Sequence, residues 1–241
     1  MMGSESVGSP LEMACSDFFK GDIDAIIAIH SNKADKEEVP VSYFFRSYED
    51  MPELEKLALS MCSGEVLDIG AGLGVHSLWL REHGIDVSSL EIQEGLVALM
   101  RKRGLDKVYA ADVFEFYGQK FDTLLLLMNG IGIASDIAGL ERFLAHARSL
   151  LKKGGKILLD SSDLLYLYQE DDGSVLLDLS EEYYGEVEYE FEYNGIRSKP
   201  FKWLFIDFGN LWYYARKAGF EAELISEGGH FDYLARLSLI S

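Results

Sequence analysis

The stretch that decides the fold is residues 65–80, which read Glu65-Val-Leu-Asp-Ile-Gly-Ala-Gly-Leu-Gly-Val-His-Ser-Leu-Trp-Leu80. A short apolar run predicts a strand over residues 66–69, three alternate glycines follow, and the residues after them predict a helix. Glycine lets the backbone turn sharply and approach a ligand closely, and the N–H groups at a helix start can bind a polar or anionic group. The stretch therefore predicts a site for a nucleotide-like cofactor.

The spacing of these glycines separates two classes of cofactor. A nicotinamide-binding turn reads G-x-G-x-x-G, which would require glycine where this chain has Val75. Here Gly70, Gly72 and Gly74 form G-x-G-x-G, and Asp68 lies two residues before the first of them. This form resembles motif I of the class I S-adenosylmethionine-dependent methyltransferases.

The segments that follow extend the resemblance over about residues 52–163. A predicted strand ends at Glu91, 21 residues after Gly70, where a carboxylate can accept both hydroxyls of a ribose. Residues 107–112 predict a strand that ends at Asp112, and the resemblance implies that this acid receives the amino group of adenine. Residues 121–128 are almost wholly apolar, as in a strand buried on both faces. The resemblance places the methionine moiety and the methyl acceptor where that strand ends, at Asn129.

The order of the predicted elements indicates an α/β fold. Strands and helices alternate from residue 52 to residue 161, which predicts a doubly wound, mostly parallel sheet, seven-stranded in the family. Residues 220–226 and 231–239 predict a C-terminal antiparallel hairpin, joined by a turn at residues 227–230. Such a hairpin resembles the end of class I methyltransferases, whereas a nicotinamide fold would continue with parallel units.

Two further segments flank this core. Residues 1–50 are predicted as a polar tail and a helical cap, with an apolar helical pattern over residues 11–30 and a charged loop over residues 31–40. Residues 51–241 are predicted as the methyltransferase domain. Within it, an inserted β-hairpin is expected at about residues 183–206, either as a sheet extension or as a wall or lid over the acceptor pocket.

The inserted hairpin has a strong local signal. Residues 186–193 alternate acidic and apolar side chains, and Asn194-Gly195 is a typical two-residue hairpin turn. This turn predicts three opposed pairs of residues. They are Tyr193 with Ile196, Glu192 with Arg197, and Glu190 with Lys199.

Composition limits the class of substrate and the location. The formal net charge of the 241 residues is -19, which disfavours nucleic acid as a partner because phosphate is repelled. The chain has no apolar run of about 18 residues, so no membrane association is expected. Two cysteines and the lack of signal-peptide features favour the cytoplasm. No metal-ligand spacing of Cys or His is present, and the oligomeric state stays open.

The candidate site residues follow from the motifs and the resemblance. Asn129 is the candidate catalytic residue, since an amide both donates and accepts hydrogen bonds and can orient an acceptor. The pocket walls are expected from residues 160–163, from residues 43–48 and from the hairpin near Tyr183 and Tyr184. The predicted cofactor-binding residues are Asp68, Gly70, Gly72, Gly74, Glu91, Ile92, Asp112, Val113, Met128 and Asn129.

A general base is needed only if the acceptor carries a proton. The candidates are Asp163, Tyr43 and His76, which the sequence does not rank. Family members that methylate the amines of nucleic-acid bases often read Asn/Asp-Pro-Pro-aromatic here, whereas this chain reads Asn-Gly-Ile-Gly over residues 129–132.

The predicted function is methyl transfer from S-adenosylmethionine to a small-molecule acceptor. The alternative is a protein that binds S-adenosylmethionine without catalysis, as a sensor or a partner subunit. A nicotinamide oxidoreductase is disfavoured by Val75 and by the terminal hairpin.

Overall fold

The structure, a computed structural model, describes residues 8–169, 172, 174–175 and 182–240. The predicted polar tail lies mostly outside this range. The helices are α1 (Pro10–Phe19), α2 (Glu53–Met61), α3 (Val75–Glu82), α4 (Glu94–Lys102), α5 (Ile137–Leu150) and α6 (Phe208–Lys217). The strands are β1 (Ile26–Ser31), β2 (Glu37–Pro40), β3 (Glu65–Ile69), β4 (Asp86–Glu91), β5 (Val108–Ala110), β6 (Phe121–Leu126), β7 (Leu151–Ser162), β8 (Glu186–Tyr193), β9 (Ile196–Arg197), β10 (Phe201–Leu204), β11 (Phe220–Glu227) and β12 (Asp232–Leu239).

The main sheet has seven strands in the order β11-β12-β7-β6-β3-β4-β5. The five strands from β7 to β5 are parallel, and β12 runs antiparallel to both β7 and β11. The predicted fold class and terminal hairpin are thus confirmed. The strand order reverses between β3 and β6, and ligands bind in such sheets at the carboxyl ends of the strands beside this reversal.

Strand β6 is buried on both faces because helices cover both sides of the sheet. Leu124 and Leu126 pack in one core cluster with Phe143 of α5. Leu125 packs in another cluster with Leu59 of α2. The apolar run predicted this central position. Burial on both faces fixes the end of β6 at the edge of the sheet where ligands bind in this fold.

A second sheet, which we call the cap sheet, has the order β10-β8-β1-β2, with β9 paired to β8. Two predictions for the N-terminal segment were wrong. Only the first half of residues 11–30 is helical, since α1 ends before Gly21 and Ile26–Ser31 is a strand that pairs with β8. Glu37–Pro40, predicted as loop, is a strand beside β1. The cause is tertiary, because β1 is paired with residues more than 150 positions away.

The inserted hairpin is present, and its register agrees with the prediction only near the turn. Glu192 lies opposite Arg197, as predicted. The expected pair of Glu190 with Lys199 was wrong, because the register shifts by one residue before Phe201, which faces Tyr189. Arg197 itself forms the ion pair with Glu190, at 2.8 Å.

The shift has a local reason. The Ser198 side-chain oxygen accepts the Phe191 backbone N–H at 2.9 Å, so this serine replaces a ladder contact. Pro200 has no N–H with which to continue the ladder. Lys199 therefore lies between two paired segments and faces no acid across the hairpin.

The insert does not extend the main sheet. Together with residues 26–40 it forms the cap sheet. The strands of this sheet therefore come from both sides of the domain boundary predicted between residues 50 and 51, and that boundary stays a prediction. In the part of the chain that the structure describes, no helix is long and apolar enough to cross a membrane.

Candidate active site

The glycine turn lies at the carboxyl end of β3. Gly70, Gly72 and Gly74 have φ angles of +70°, +55° and +72°, in the region that favours glycine. A Cβ added at Gly72 would meet no atom within 4 Å, whereas one at Gly74 would lie 2.5 Å from the Leu105 Cδ1 atom. Gly72 therefore leaves space for a ligand, and Gly74 is required for close packing against the next helix and its loop.

Glu91 ends β4 directly beside this turn. Its Oε2 atom accepts the Gly72 N–H at 3.0 Å, and its Oε1 atom accepts the Gln93 N–H at 2.9 Å. Burial raises the pKa of the Glu91 carboxyl, and these backbone donors oppose that rise. The next residue, Ile92, is 63% exposed and so presents an apolar side chain beside the acid. Two separately predicted parts of the cofactor site are thus in direct contact.

Asp112 follows β5, which pairs with β4 so that Ala110 lies opposite Glu91. The Asp112 Oδ1 atom accepts the Phe114 N–H at 2.9 Å and caps a 3-10 turn. Val113 is buried in the main core. The capping role expected of an aspartate is therefore present at the position that the resemblance assigns to adenine binding.

Asp68 is fully enclosed beneath the glycine turn. Its carboxylate accepts the Ser77 hydroxyl at 2.7 Å, and Ser77 in turn accepts the Ser89 hydroxyl at 2.7 Å. Burial raises the pKa of Asp68, and the nearby His76 and the Ser77 hydrogen bonds oppose that rise. The visible contacts of Asp68 thus tie β3 to α3 and β4, which organises the turn.

The end of β6 carries unusual backbone geometry. Met128 and Asn129 have φ angles of +62° and +53°, which side-chain-bearing residues rarely adopt. Asp160 holds this conformation, because its carboxylate accepts the Met128 N–H at 3.1 Å and the Asn129 N–H at 2.8 Å. Trp203 of the cap sheet donates its indole N–H to the Asn129 carbonyl oxygen at 3.0 Å. Such strain persists where surrounding contacts enforce it, often at functional sites.

A pocket of about 250 Å³ opens beside Asn129. It lies at the ends of β6 and β7 and beside the terminal hairpin, and its lining residues do not include the glycine turn. Its polar lining comes from five parts of the chain and consists of Tyr43, Glu55, Asn129, Asp160, Ser161, Ser162, His230 and Asp232. Tyr43 and residues 160–162 belong to the predicted walls, whereas the sequence interpretation missed Glu55 and the contribution of the terminal hairpin.

The expected wall at Tyr183 and Tyr184 is not among the residues that line this pocket. The Tyr183 hydroxyl donates to Asp207 at 2.6 Å, and the Tyr184 hydroxyl donates to Asp163 at 2.8 Å. Tyr183 therefore binds the residue before α6, whereas Tyr184 binds the residue that follows β7. The cap sheet reaches the site through Trp203.

A buried ionic network lies behind the pocket. Glu55 accepts hydrogen bonds from Arg46 Nη2 at 2.7 and 2.6 Å, and its Oε2 atom lies 2.7 Å from His76 Nε2. Burial alone would raise the pKa of Glu55, but the bonds from His76 and Arg46 outweigh it and lower that pKa. A sequence signal existed, since Glu55 lies on the apolar stripe of α2 with Ala58 and Leu59.

Asp160 differs from Glu55 because its visible partners are backbone N–H groups. Burial, followed by the charge of Glu55, raises the pKa of Asp160 to about 7. Of the three candidate bases, only Tyr43 lines the pocket. His76 is buried against Glu55, and Asp163 accepts the Leu165 N–H at 2.9 Å and the Tyr184 hydroxyl.

These features define the class of the protein. An open glycine turn in contact with a strand-end carboxylate fits a nucleoside cofactor, and the sheet order with its antiparallel terminal hairpin is that of the class I methyltransferase fold. Residues 66–155 match the model of a family described as a methyltransferase domain.

Solved structures make the assignment specific. The chain is 40% identical to an S-adenosylmethionine-dependent methyltransferase from Bacteroides fragilis, crystallised with S-adenosyl-L-homocysteine. The similarity covers 97% of this chain and 96% of that one, with a TM-score of 0.91. The chain therefore belongs to the class I S-adenosylmethionine-dependent methyltransferases, and its cofactor is S-adenosylmethionine.

More distant structures share the fold. The sugar N-methyltransferase KedS8 from Streptoalloteichus is 17% identical over 86% of this chain and 96% of its own, with a TM-score of 0.58. The amino pentose methyltransferase CalS10 from Micromonospora echinaspora is 19% identical over 80% of this chain and 92% of its own, with a TM-score of 0.57. No curated protein sequence matches the chain.

Proposed function

We propose that this methyltransferase acts on a small-molecule acceptor bound in the pocket beside Asn129. The observation that carries the proposal is the size of that pocket and the parts of the chain that line it. At about 250 Å³, walled by the N-terminal segment, α2, β7 and the terminal hairpin, it has room for a small molecule or one substituent of a larger one. Two of the distant structures, KedS8 and CalS10, methylate sugars, which is compatible with this class of acceptor.

The bound cofactor supplies a methyl group on a sulfonium, which is already activated for transfer. The residues that would hold it are those of the glycine turn, with Glu91 for the ribose, Asp112 and Val113 for the adenine, and Met128 and Asn129 beside the methyl. The protein then contributes alignment and exclusion of water. Asn129 can orient the acceptor through its side-chain amide, whose Oδ1 atom accepts the Ser162 hydroxyl at 3.3 Å.

Charge supports an acceptor other than nucleic acid. The net charge of -19 repels phosphate backbones, and the pocket itself is lined by carboxylates. A cytoplasmic location is also part of the proposal, supported by two buried free thiols, Cys15 and Cys62.

The test uses S-adenosylmethionine labelled at its methyl group. The purified protein is incubated with a cell extract separated into fractions below 1 kDa and above 10 kDa, with Glu91→Ala as the control for cofactor-dependent labelling. We expect label to enter the small-molecule fraction. Label that enters only protein or nucleic acid would overturn the proposal of a small acceptor.

A further inference from the structure

The charge of the acceptor pocket is the observation that leads beyond methyl transfer. Among the described residues that line the pocket, none is Lys or Arg. Arg46 lies nearby, but its guanidinium is bonded to Glu55 by two short contacts, so the positive charge of Arg46 is balanced by the negative charge of Glu55. Within the described part of the chain, Asp160 and Asp232 form no salt bridge, and the groups near them that could carry positive charge are His76 and His230.

Asp160 has the geometry of a fixed acceptor. Each of its oxygens receives one backbone N–H from the end of β6, and each retains capacity for another hydrogen bond. Because its two backbone donors belong to Met128 and Asn129, the carboxylate is held beside the residues that flank the methyl site. A ligand that donates hydrogen bonds and carries positive charge would satisfy it, whereas a carboxylate or phosphate acceptor would be repelled.

We infer that the acceptor is a primary or secondary amine, which binds as its ammonium ion against Asp160 and gives up a proton to that carboxylate before methylation. This inference rests on the proposed function and names the substrate class of the same pocket.

The proton balance assigns a role to each group. The ammonium N–H proton passes to an Asp160 oxygen, which frees the lone pair of the nitrogen. The N–C bond forms as the C–S bond of the donor breaks, and the electron pair of that bond stays on sulfur. The product carries the positive charge as a methylated ammonium ion, and Asp160 releases its proton to solvent. The raised pKa of Asp160 supports this role, because a carboxyl near neutrality can both take and return a proton.

The first test repeats the labelling experiment after the amines of the small-molecule fraction have been blocked. One portion of the small-molecule fraction is treated with an acetyl N-hydroxysuccinimide ester and then with hydroxylamine, which leaves amines acetylated and restores hydroxyls. A second portion receives hydrolysed reagent. We expect labelling to fall at least tenfold in the blocked portion alone. Labelling that survives blocking would overturn the amine acceptor while leaving the proposed function intact.

The second test measures binding without turnover. The protein saturated with S-adenosylhomocysteine is titrated with tetramethylammonium and, separately, with neutral tert-butanol of similar size, and binding is followed by NMR. We expect the wild-type protein to prefer the cation at least fivefold, and Asp160→Asn to lose this preference. Asp163→Asn, outside the pocket, should retain it. Equal affinity of the wild-type protein for the two probes would overturn the inference.

Discussion

Trp203 donates its indole N–H to the carbonyl oxygen of Asn129 at 3.0 Å. This bond joins the cap sheet to the end of β6, because Trp203 lies in β10 and Asn129 begins the turn that follows β6. The carbonyl that it binds belongs to a residue that lines the pocket proposed for the acceptor. The conformation of the site therefore depends on a sheet that is separate from the main one.

A substitution at Gly132 tests the contact between Trp203 and the turn that follows β6. A Cβ added there would lie 2.0 Å from the Trp203 Nε1 atom, so the indole would have to move. We expect Gly132→Ala to lower the free energy of unfolding by about 1–3 kcal/mol, as for other overpacked sites, and to reduce turnover. Urea unfolding measures the first effect. Gly229→Ala is the matched control, since an added Cβ there meets nothing within 4 Å. Equal stability of the two variants would contradict the expectation.

Glu91 should act through cofactor affinity. Its two oxygens face the glycine turn and the start of α4, and a ribose would take both as acceptors. We expect Glu91→Ala to weaken binding of S-adenosylhomocysteine by about 1.5–3 kcal/mol, or roughly 10- to 150-fold. Turnover should recover at saturating cofactor. Isothermal titration checks the affinity, with the exposed Glu221→Ala as the control. An unchanged dissociation constant would remove Glu91 from the site.

Asn129 should show the reverse pattern. Its φ of +53° means that alanine would add backbone strain, so Asn129→Gly isolates the loss of the side chain. We expect turnover to fall by about 10- to 100-fold through loss of alignment, while cofactor affinity changes little. Asn194→Gly, at a φ of +50° in the distant hairpin turn, controls for the backbone effect. A loss of cofactor affinity as large as the loss of turnover would contradict this role.

Glu12 links α1 to α4, beside the residues predicted to bind the cofactor. Its Oε1 atom accepts the Gly95 N–H at 2.7 Å, and Gly95 lies in the first turn of α4, four residues after Glu91. We expect Glu12→Ala to cost about 1 kcal/mol, as for a lost helix cap, and to weaken cofactor binding roughly fivefold. Glu12→Gln keeps an acceptor oxygen and should restore most of the affinity. If Glu12→Gln and Glu12→Ala bind S-adenosylhomocysteine equally weakly in a titration, the hydrogen bond from Gly95 does not affect cofactor affinity.

Glu55 should make stability depend on pH. Its pKa is lowered in the folded state, so the stability that it contributes is present above its unfolded pKa of about 4.3 and is lost as the pH falls through the folded pKa. Breaking this buried pair with Glu55→Gln should cost about 3–5 kcal/mol at pH 7. The difference from wild type should shrink below pH 4. A difference in urea unfolding that stays constant from pH 7 to pH 3.5 would contradict the assignment.

Asp160 provides the control for that experiment because its contribution to stability changes with pH in the opposite direction. Its folded pKa of about 7 lies above the unfolded value, so the folded state binds more protons between pH 4 and pH 7 and loses stability from this group as the pH rises. The other titratable groups near it are Glu55, His76, Tyr43, His230, Asp232 and Tyr233. Measuring Glu55→Gln in an Asp160→Asn background separates the two contributions.

The sequence by itself determined the main sheet and the contact between the glycine turn and the acid at the end of β4. Hydrophobic period, glycine spacing and strand-end acids are local properties, and parallel strands carry their ends to one edge, so Gly72 and Glu91 were predictable neighbours. The hairpin register close to Asn194-Gly195 was predictable for the same reason, because a two-residue turn dictates which residues face each other.

Only the tertiary structure decided the cap sheet and the character of the acceptor pocket. Residues 26–31 carry no signal for a partner as distant as residues 189–192, because strand pairing over that separation is selected by the packing of the whole molecule. The pairing of Asp160 with the backbone of Asn129, and of Glu55 with Arg46 and His76, likewise depends on which elements pack together. A carboxylate in the sequence has an ordinary pKa, and burial beside particular partners is what lowers it at Glu55 and raises it at Asp160.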